Sequence, residues 1–315
     1  MLLLSSLSTF SDLPQNDLYS KSLVYSNNTQ TIQAFDSSFL SILKLTGADR
    51  LKYMQGQSTN QLSSLKVNQG TTTLVGNTKA KLISRVEFFV GEDCLYLLHE
   101  SSTTEALMTQ LDMFIIAEDV EMELLENFYS VSYVTESKYS SMFDSDYGFV
   151  QDGEDLIFKW TGFGDNTTTH CFSKTNTPDL TSVHLLNAQS IDKLRIMNFY
   201  PIANQEYNEN DKLIAELEHN EFVSFSKGCF LGYEILARIK NRGHTNKTLS
   251  LVEFDTPLTF NPIGEKFFID DSSKGFVTSF IVDSNKTYVL GFLPTLLKEI
   301  GKCAKINDVT GIIVR

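Results

Sequence analysis

KGCFLGYEILARIKNRG, residues 227–243, places a lysine, a cysteine and two glycines within six residues and then turns into a charged helical pattern. Glu234 and Arg238 stand four apart in the order that favours pairing on a helix, while Ile235, Leu236 and Ile239 share an apolar side. The spacing predicts a helix from about 233 to 240, with Gly228 and Gly232 bracketing Cys229 ahead of it. A helix N-terminus carries unpaired N–H groups and partial positive charge. Lys227 adds a full charge nearby. Both effects favour thiolate over thiol, which makes Cys229 a candidate reactive thiol. Glycine-flanked cysteines also serve as small packing residues in tight turns, and both readings stand at this point.

The rest of the chain sets bounds on that site. A length of 315 residues favours two or three domains, and 42% hydrophobic with 21% charged residues fits a soluble globular protein. A net charge of −13 argues against a broad nucleic-acid surface, although residues 238–247 are locally basic. Cys94, Cys171, Cys229 and Cys303 lie far apart, with no CxxC and no Cys/His pair at zinc spacing. The expectation is therefore no disulfide framework, no metal site and a reducing setting. A lone thiol cannot hold an iron–sulfur cluster, which normally takes four ligands. The stretch MLLLSSLSTFSDLPQ lacks a basic leader region, and no window approaches a membrane span. The chain reads as soluble and cytoplasmic, with no membrane contact.

Periodicity divides the chain. Residues 11–32 are polar and read as an extended lead-in. Leu40, Ile42 and Leu45 fit a strand ending at Thr46-Gly47, and residues 48–55 a short helix with Asp49 near its start. TTTLVGNTKAKLISRVEFFV reads as two strands joined near Asn77, CLYLLHE as a third, and SSTTEALMTQLDMFII as a helix. Residues 121–180 form a second β region, with strands at NFYSVSYV, LIFKW and THCFSK; DGED at 152–155 and the Asp270-Asp271 pair read as turns. Residues 183–200 read as a helix with Leu185, Leu186, Ile191 and Leu194 buried. From Leu249 onward short strands separated by turns suggest a small barrel or sandwich. The class is α+β. His170, His184, His219 and His244 are scattered and read as surface or turn residues, and Cys94, Cys171 and Cys303 as buried thiols in or near strands. Tyr53 and Met54 read as core, whereas Gln55 and Gln57 carry amides that can both donate and accept hydrogen bonds.

KGCFLGYE followed by ARIKNRG resembles the KGC[YF]xGQE…ARxxxRG signature of the YgfZ-type folate-binding proteins, relatives of the aminomethyltransferase (T-protein) of the glycine cleavage system. LTGADRLKYMQGQSTNQL at 45–62 is similar to the family's GADxxxYLQGQxTxD segment, NTKAK at 77–81 to its KGK turn, and GFVTS at 275–279 and LGFLP at 290–294 to its C-terminal barrel motifs. The blocks come in the family order. The chain departs from the pattern at Tyr233 (usually Gln), Ala80 and Phe199 (usually Gly) and Glu216 (usually Asn), and Trp160 is its one tryptophan. The resemblance implies a three-domain clover-leaf, aminomethyltransferase-like fold with a C-terminal small β-barrel. Residues 31–115 plus 190–245 would form the folate-binding-like domain, 116–189 a second α+β domain, and 246–315 the barrel. It implies tetrahydrofolate as cofactor, with Gln55, Gln57, Lys79, Lys227, Tyr233, Glu234 and Arg238 lining its site beside Cys229. For Glu234 the spacing favours a pair with Arg238 over a ligand contact.

Aminomethyltransferases follow the turn with a pattern like KGGxIDD, whose aspartate sits by the reactive nitrogen of the folate. Aligned on Lys79, this chain puts Ser84 and Arg85 there, and neither supplies the charge that aminomethyl transfer needs. The resemblance therefore implies an accessory factor for iron–sulfur enzymes, including tRNA-modifying ones. Its expected partners are those enzymes or their assembly proteins, with no direct nucleic-acid contact. A folate-dependent one-carbon transferase or demethylase, and a thiol-reactive interaction protein that has lost folate, are the two alternatives.

Overall fold

A computed structural model of the chain describes residues 32–134, 139–161, 168–174, 183–208, 211–270, 272–273 and 275–315. The lead-in expected for 11–32 lies, all but Ile32, outside them, as does Asp271. Three sheets carry the fold. The first comprises β2 (Leu40–Thr46), β3 (Gly70–Gly76), β4 (Leu82–Val90), β5 (Leu95–Glu100) and β6 (Glu121–Leu125), all antiparallel in the order β3-β4-β5-β2-β6. Every residue of β4 is buried, because both faces of this sheet are covered. On one face Val86, Phe88 and Val90 pack with Tyr53 and Met54 of α1 (Arg50–Gln57) and Leu107 and Leu111 of α2 (Thr104–Asp112). On the other, Phe89, Tyr96 and Leu98 meet Phe149, Phe158, Trp160 and Phe172.

Those last four belong to the middle sheet. It comprises β1 (Ile32–Asp36), β7 (Tyr129–Tyr133), β8 (Gly148–Asp152), β9 (Asp155–Trp160), β10 (Thr168–Ser173) and β11 (Val183–Leu185), in the order β11-β1-β7-β10-β9-β8. Strand pairing moves two segments across the expected domain boundaries. β1 pairs with β7 and β11 of the middle sheet, and β6 pairs with β2 of the first. The helix expected over 183–200 is a strand followed by a helix. Val183–Leu185 pairs in parallel with β1, which leaves Leu185 exposed, and Asn187 then caps α3 (Ala188–Met197) by accepting from Ser190 N–H at 2.9 Å. His170 is buried rather than superficial, its ring stacked on Trp160 with centroids 3.4 Å apart. Burial holds this imidazole well below its ordinary pKa.

The third sheet comprises β12 (Lys247–Phe254), β13 (Phe267–Ile269), β14 (Ser272–Ser273), β15 (Phe276–Asp283), β16 (Lys286–Pro294), β17 (Cys303–Ile306) and β18 (Val309–Ile313). It curls into a half-barrel in the order β14-β13-β17-β18-β12-β16-β15. One core joins it to the rest: Leu249, Leu290 and Phe292 of the half-barrel meet Ala80 and Leu82 of the first sheet, Ile196 and Phe199, and Leu236 of α4 (Tyr233–Arg242).

Arg195 of α3 reinforces that junction from inside. Its guanidinium is buried and reaches Asp192 Oδ1 (2.6 Å), Glu206 Oε2 (3.3 Å), Gln205 Oε1 (2.6 Å) and Ser279 Oγ of β15 (2.8 Å). Glu206 in turn accepts from Ile202 N–H (3.0 Å) and Thr278 Oγ (2.8 Å). Arg195→Ala leaves the Glu206 carboxylate buried without its cation. The expected result is a loss of about 3–5 kcal/mol in urea unfolding, with separation of the half-barrel transition from the remainder.

Candidate functional site

The loop ahead of α4 is held at both ends against α1. Lys227 Nζ donates to Gln55 O (2.6 Å) and Ser58 O (2.5 Å) at the C-terminus of α1, and Leu231 N–H donates to Gly56 O (3.0 Å). The Gln55–Gln57 segment and the Cys229 loop are therefore neighbours. Unpaired carbonyls and partial negative charge at a helix C-terminus suit an ammonium group. Burial draws Lys227 down to about 8. The Lys227 ammonium is thus spent on α1, not on the Cys229 sulfur as the sequence suggested. Gly232 adopts φ +85° and touches the β3–β4 turn: a Cβ there would lie 3.0 Å from both Ala80 Cα and Asn77 O. No residue with a side chain fits this position without displacing that turn.

Two residues standing where the resembled pattern has glycine adopt left-handed backbone. Ala80 has φ +56° and Phe199 φ +59°. Left-handed geometry costs a non-glycine residue roughly 1–3 kcal/mol. Both are fully buried in the joining core, where packing offsets that cost.

The expected site residues divide into two groups. Gln55 is spent locally: its Oε1 accepts from the N–H groups of Leu62 (2.8 Å) and Ser63 (3.0 Å), and its Nε2 donates to Gln61 (3.1 Å). Lys227 is spent as described. Gln57 keeps a buried Oε1 with no partner. Tyr233 is half-buried, its ring 5.4 Å edge-on from Phe230 and 6.2 Å from Phe225. Lys79, Glu234 and Arg238 are exposed, and no ion pair joins Glu234 to Arg238. Against the chemistry of tetrahydrofolate, the available set fits in kind. The unpaired Gln57 oxygen suits a pterin N–H, the Tyr233 ring gives a flat wall, and Arg238 or Lys79 suits the carboxylates of the tail. Trp160 lies in the middle sheet and belongs to no part of this set.

Ser84 and Arg85 fall on opposite faces of β4. Ser84 Oγ is 2.8 Å from Thr103 Oγ under the first core. Arg85 points the other way. Its guanidinium lies 4.0 Å from the Tyr200 ring centre and 4.9 Å from that of Phe222, and its Nε donates to Glu87 Oε1 (2.9 Å). Thr72 Oγ donates to the other Glu87 oxygen. Glu87, Tyr200 and Phe222 were missed in the sequence, although β-strand parity puts Glu87 on the face of Arg85. This cluster reaches the Cys229 loop along one segment: Phe222 O accepts from Thr59 Oγ (2.7 Å), and Ser224 N–H donates to Thr59 O (2.9 Å). His219, also buried rather than superficial, stacks on Phe222 with ring centroids 5.3 Å apart. At the end of β5, Glu100 accepts from Ala203 N–H (2.9 Å) and Tyr207 OH (3.1 Å).

These three sheets and their junction are the fold of the glycine cleavage aminomethyltransferases. A crystal structure of aminomethyltransferase T from Bartonella henselae superposes with a TM-score of 0.77 at 12% identity, covering 90% of this chain and 85% of that one. By sequence, the chain is homologous to the tRNA-modifying proteins YgfZ. That of Serratia proteamaculans is 25% identical over 226 residues, covering 67% of this chain and 68% of its own. The YgfZ of Yersinia enterocolitica is 22% identical over 220 residues, covering 66% and 67%. A chloroplastic Arabidopsis thaliana protein, whose name gives transferase as a provisional class, is 20% identical over 323 residues, covering 92% of this chain and 73% of its own. No family model matches the chain. Among the described residues no helix is long and apolar enough to cross a membrane.

Two measurements test this description. Cys229 and Cys303 are exposed, whereas Cys94 and Cys171 are buried. Cys303 had been expected buried, but it occupies an outward position of β17. Iodoacetamide on the native protein should label Cys229 and Cys303, and reach Cys94 and Cys171 only after denaturation. Burial raises Glu100 from 4.5 to about 7, partly offset by Ala203 N–H and Tyr207 OH. The folded state therefore holds a proton that the unfolded chain releases near pH 4.5. The Glu100 contribution to stability is complete below that pH and lost as pH rises through about 7. Urea midpoints of Glu100→Gln measured against pH should lack that decline.

Proposed function

We propose that the chain is a cytoplasmic accessory factor in tRNA modification that supports iron–sulfur enzymes and is not an aminomethyltransferase. The names of its YgfZ homologues support the link to tRNA. The observation that carries the rest is Arg85. Where the related transferases are expected to offer an aspartate, this chain holds a guanidinium neutralised by Glu87 and stacked on Tyr200. Electrostatic stabilisation of positive charge on a folate nitrogen would need the opposite sign there. Gln57, Tyr233 and Arg238 would hold tetrahydrofolate, whose bound form carries one-carbon groups. The exposed Cys229 would meet an iron–sulfur client that supplies the other ligands of its cluster.

Two other readings have support of their own. The name of the Arabidopsis relative and the Glu87 carboxylate favour a one-carbon transferase. The commitment of Gln55 and Lys227 to α1 and its following loop favours a thiol-reactive interaction protein without folate. Cells lacking the chain should lose nucleosides whose synthesis needs iron–sulfur enzymes, as read by mass spectrometry of digested tRNA. Wild type should restore them and Cys229→Ala should not. Unchanged tRNA in the deletion would overturn the proposal. Turnover with glycine cleavage components would establish the transferase instead, and calorimetry with tetrahydrofolate separates the folate-free reading.

A further inference from the structure

The charge of this chain is unevenly spread. Residues 227–247 hold five of its 26 Lys and Arg but one of its 39 Asp and Glu. Lys227 is turned inward onto α1, and the other four lie along α4 and the start of β12. Arg238, Lys240 and Arg242 are exposed, as is His244 just beyond. The N-terminal end of α4 abuts the β3–β4 turn through Gly232, and that turn brings exposed Lys79 to the same region. Acidic side chains nearby include Glu234, on α4 itself; Glu216, which accepts from Leu213 N–H at 2.7 Å; Asp211, paired with Lys212 at 2.7 Å; and Glu218, paired with Lys298 at 2.5 Å. Aromatic rings flank one of these cations: Lys240 Nζ is 4.1 Å from the centre of Phe225, with Tyr233 the next ring along, while Arg238 and Arg242 stand one turn apart on another side of α4. On a chain of net charge −13, such a ridge attracts a polyanion locally while the remaining surface repels it. Half-exposed rings beside ammonium groups add a stacking face that an acidic protein surface does not use.

We propose that this patch, centred on Arg238 and Arg242 one turn apart on α4, binds the phosphate backbone of a folded RNA. The proposal rests on the link to tRNA made above and gives that link a physical surface. Composition argues against a broad RNA-binding face, and the short basic stretch on α4 departs from the expectation of no nucleic-acid contact only locally.

The test is fluorescence anisotropy of an unmodified tRNA transcript with the full chain across a salt series. The wild type should bind, with affinity falling steeply as salt rises. Arg238→Ala with Arg242→Ala should weaken binding about tenfold at about 0.1 M salt and reduce the log–log salt slope by about 1.5. Arg238→Lys with Arg242→Lys, which keeps the charges, should hold the slope. Lys266→Ala with Lys305→Ala, on the half-barrel, should change nothing. No binding by the wild type at low salt would overturn the proposal. So would an alanine variant indistinguishable from wild type, a lysine variant that loses the slope, or equal competition by poly-glutamate, which would mark an acidic protein as the partner. Loss of modified nucleosides in cells without any tRNA binding in solution would sink this inference and leave the accessory role standing.

Discussion

A guanidinium withdrawn from water costs several kcal/mol unless its donors are filled. Arg195 meets that demand with partners from three segments: Asp192 in its own helix, Gln205 and Glu206 in the following loop, and Ser279 in the half-barrel. The remaining architecture depends on this. The loop that carries Gln205 and Glu206 also delivers Ala203 and Tyr207 to Glu100 at the end of the first sheet. The half-barrel, the first sheet and α3 are therefore tied by buried polar groups as well as by the shared apolar core. Such ties hold one relative placement, because a shift leaves an ion without its counter-charge.

The second buried arginine has a different consequence. Arg85 fills its face of β4 with a planar cation between aromatic rings, and Glu87 beside it is a carboxylate already in use. The aminomethyltransferase-like fold thus carries a buried arginine–glutamate pair at this point. Strand pairing and core packing set the fold, while the side chains on one face of β4 set the charge within it.

Much of the fold was legible because periodicity and motif order are local signals. The hairpin around Asn77, the helix after Gly232 and the short strands beyond Leu249 all followed from spacing. Failures arose where distant pairing decided the outcome. Val183–Leu185 has helical-looking leucines, yet β1 recruits it as a parallel strand. His170 and His219 look superficial in sequence because nothing local reveals the Trp160 and Phe222 rings that cover them. At the candidate site, the motif pointed to Cys229, Tyr233 and Arg238, of which Cys229 and Arg238 are exposed and Tyr233 is half-buried. Lys227 was assigned to the wrong neighbour, since only the folded chain shows α1's carbonyls within its reach. Glu87 was within reach of strand parity, whereas Tyr200 and Phe222 come from a separate segment that no spacing rule connects to β4.

The clamp on the Cys229 loop bears on how that thiol meets another molecule. Lys227 and Leu231 are both fastened to α1, and Phe230 is buried between them and α4. Only Gly228 and Cys229 are left between fixed points. A sulfur on a free loop would surrender conformational entropy on engagement, at about 1–2 kcal/mol for each residue ordered. Here most of that ordering is complete before any partner arrives, so the thiol is preorganised. Short-lived encounters can then be selective without extensive contact area.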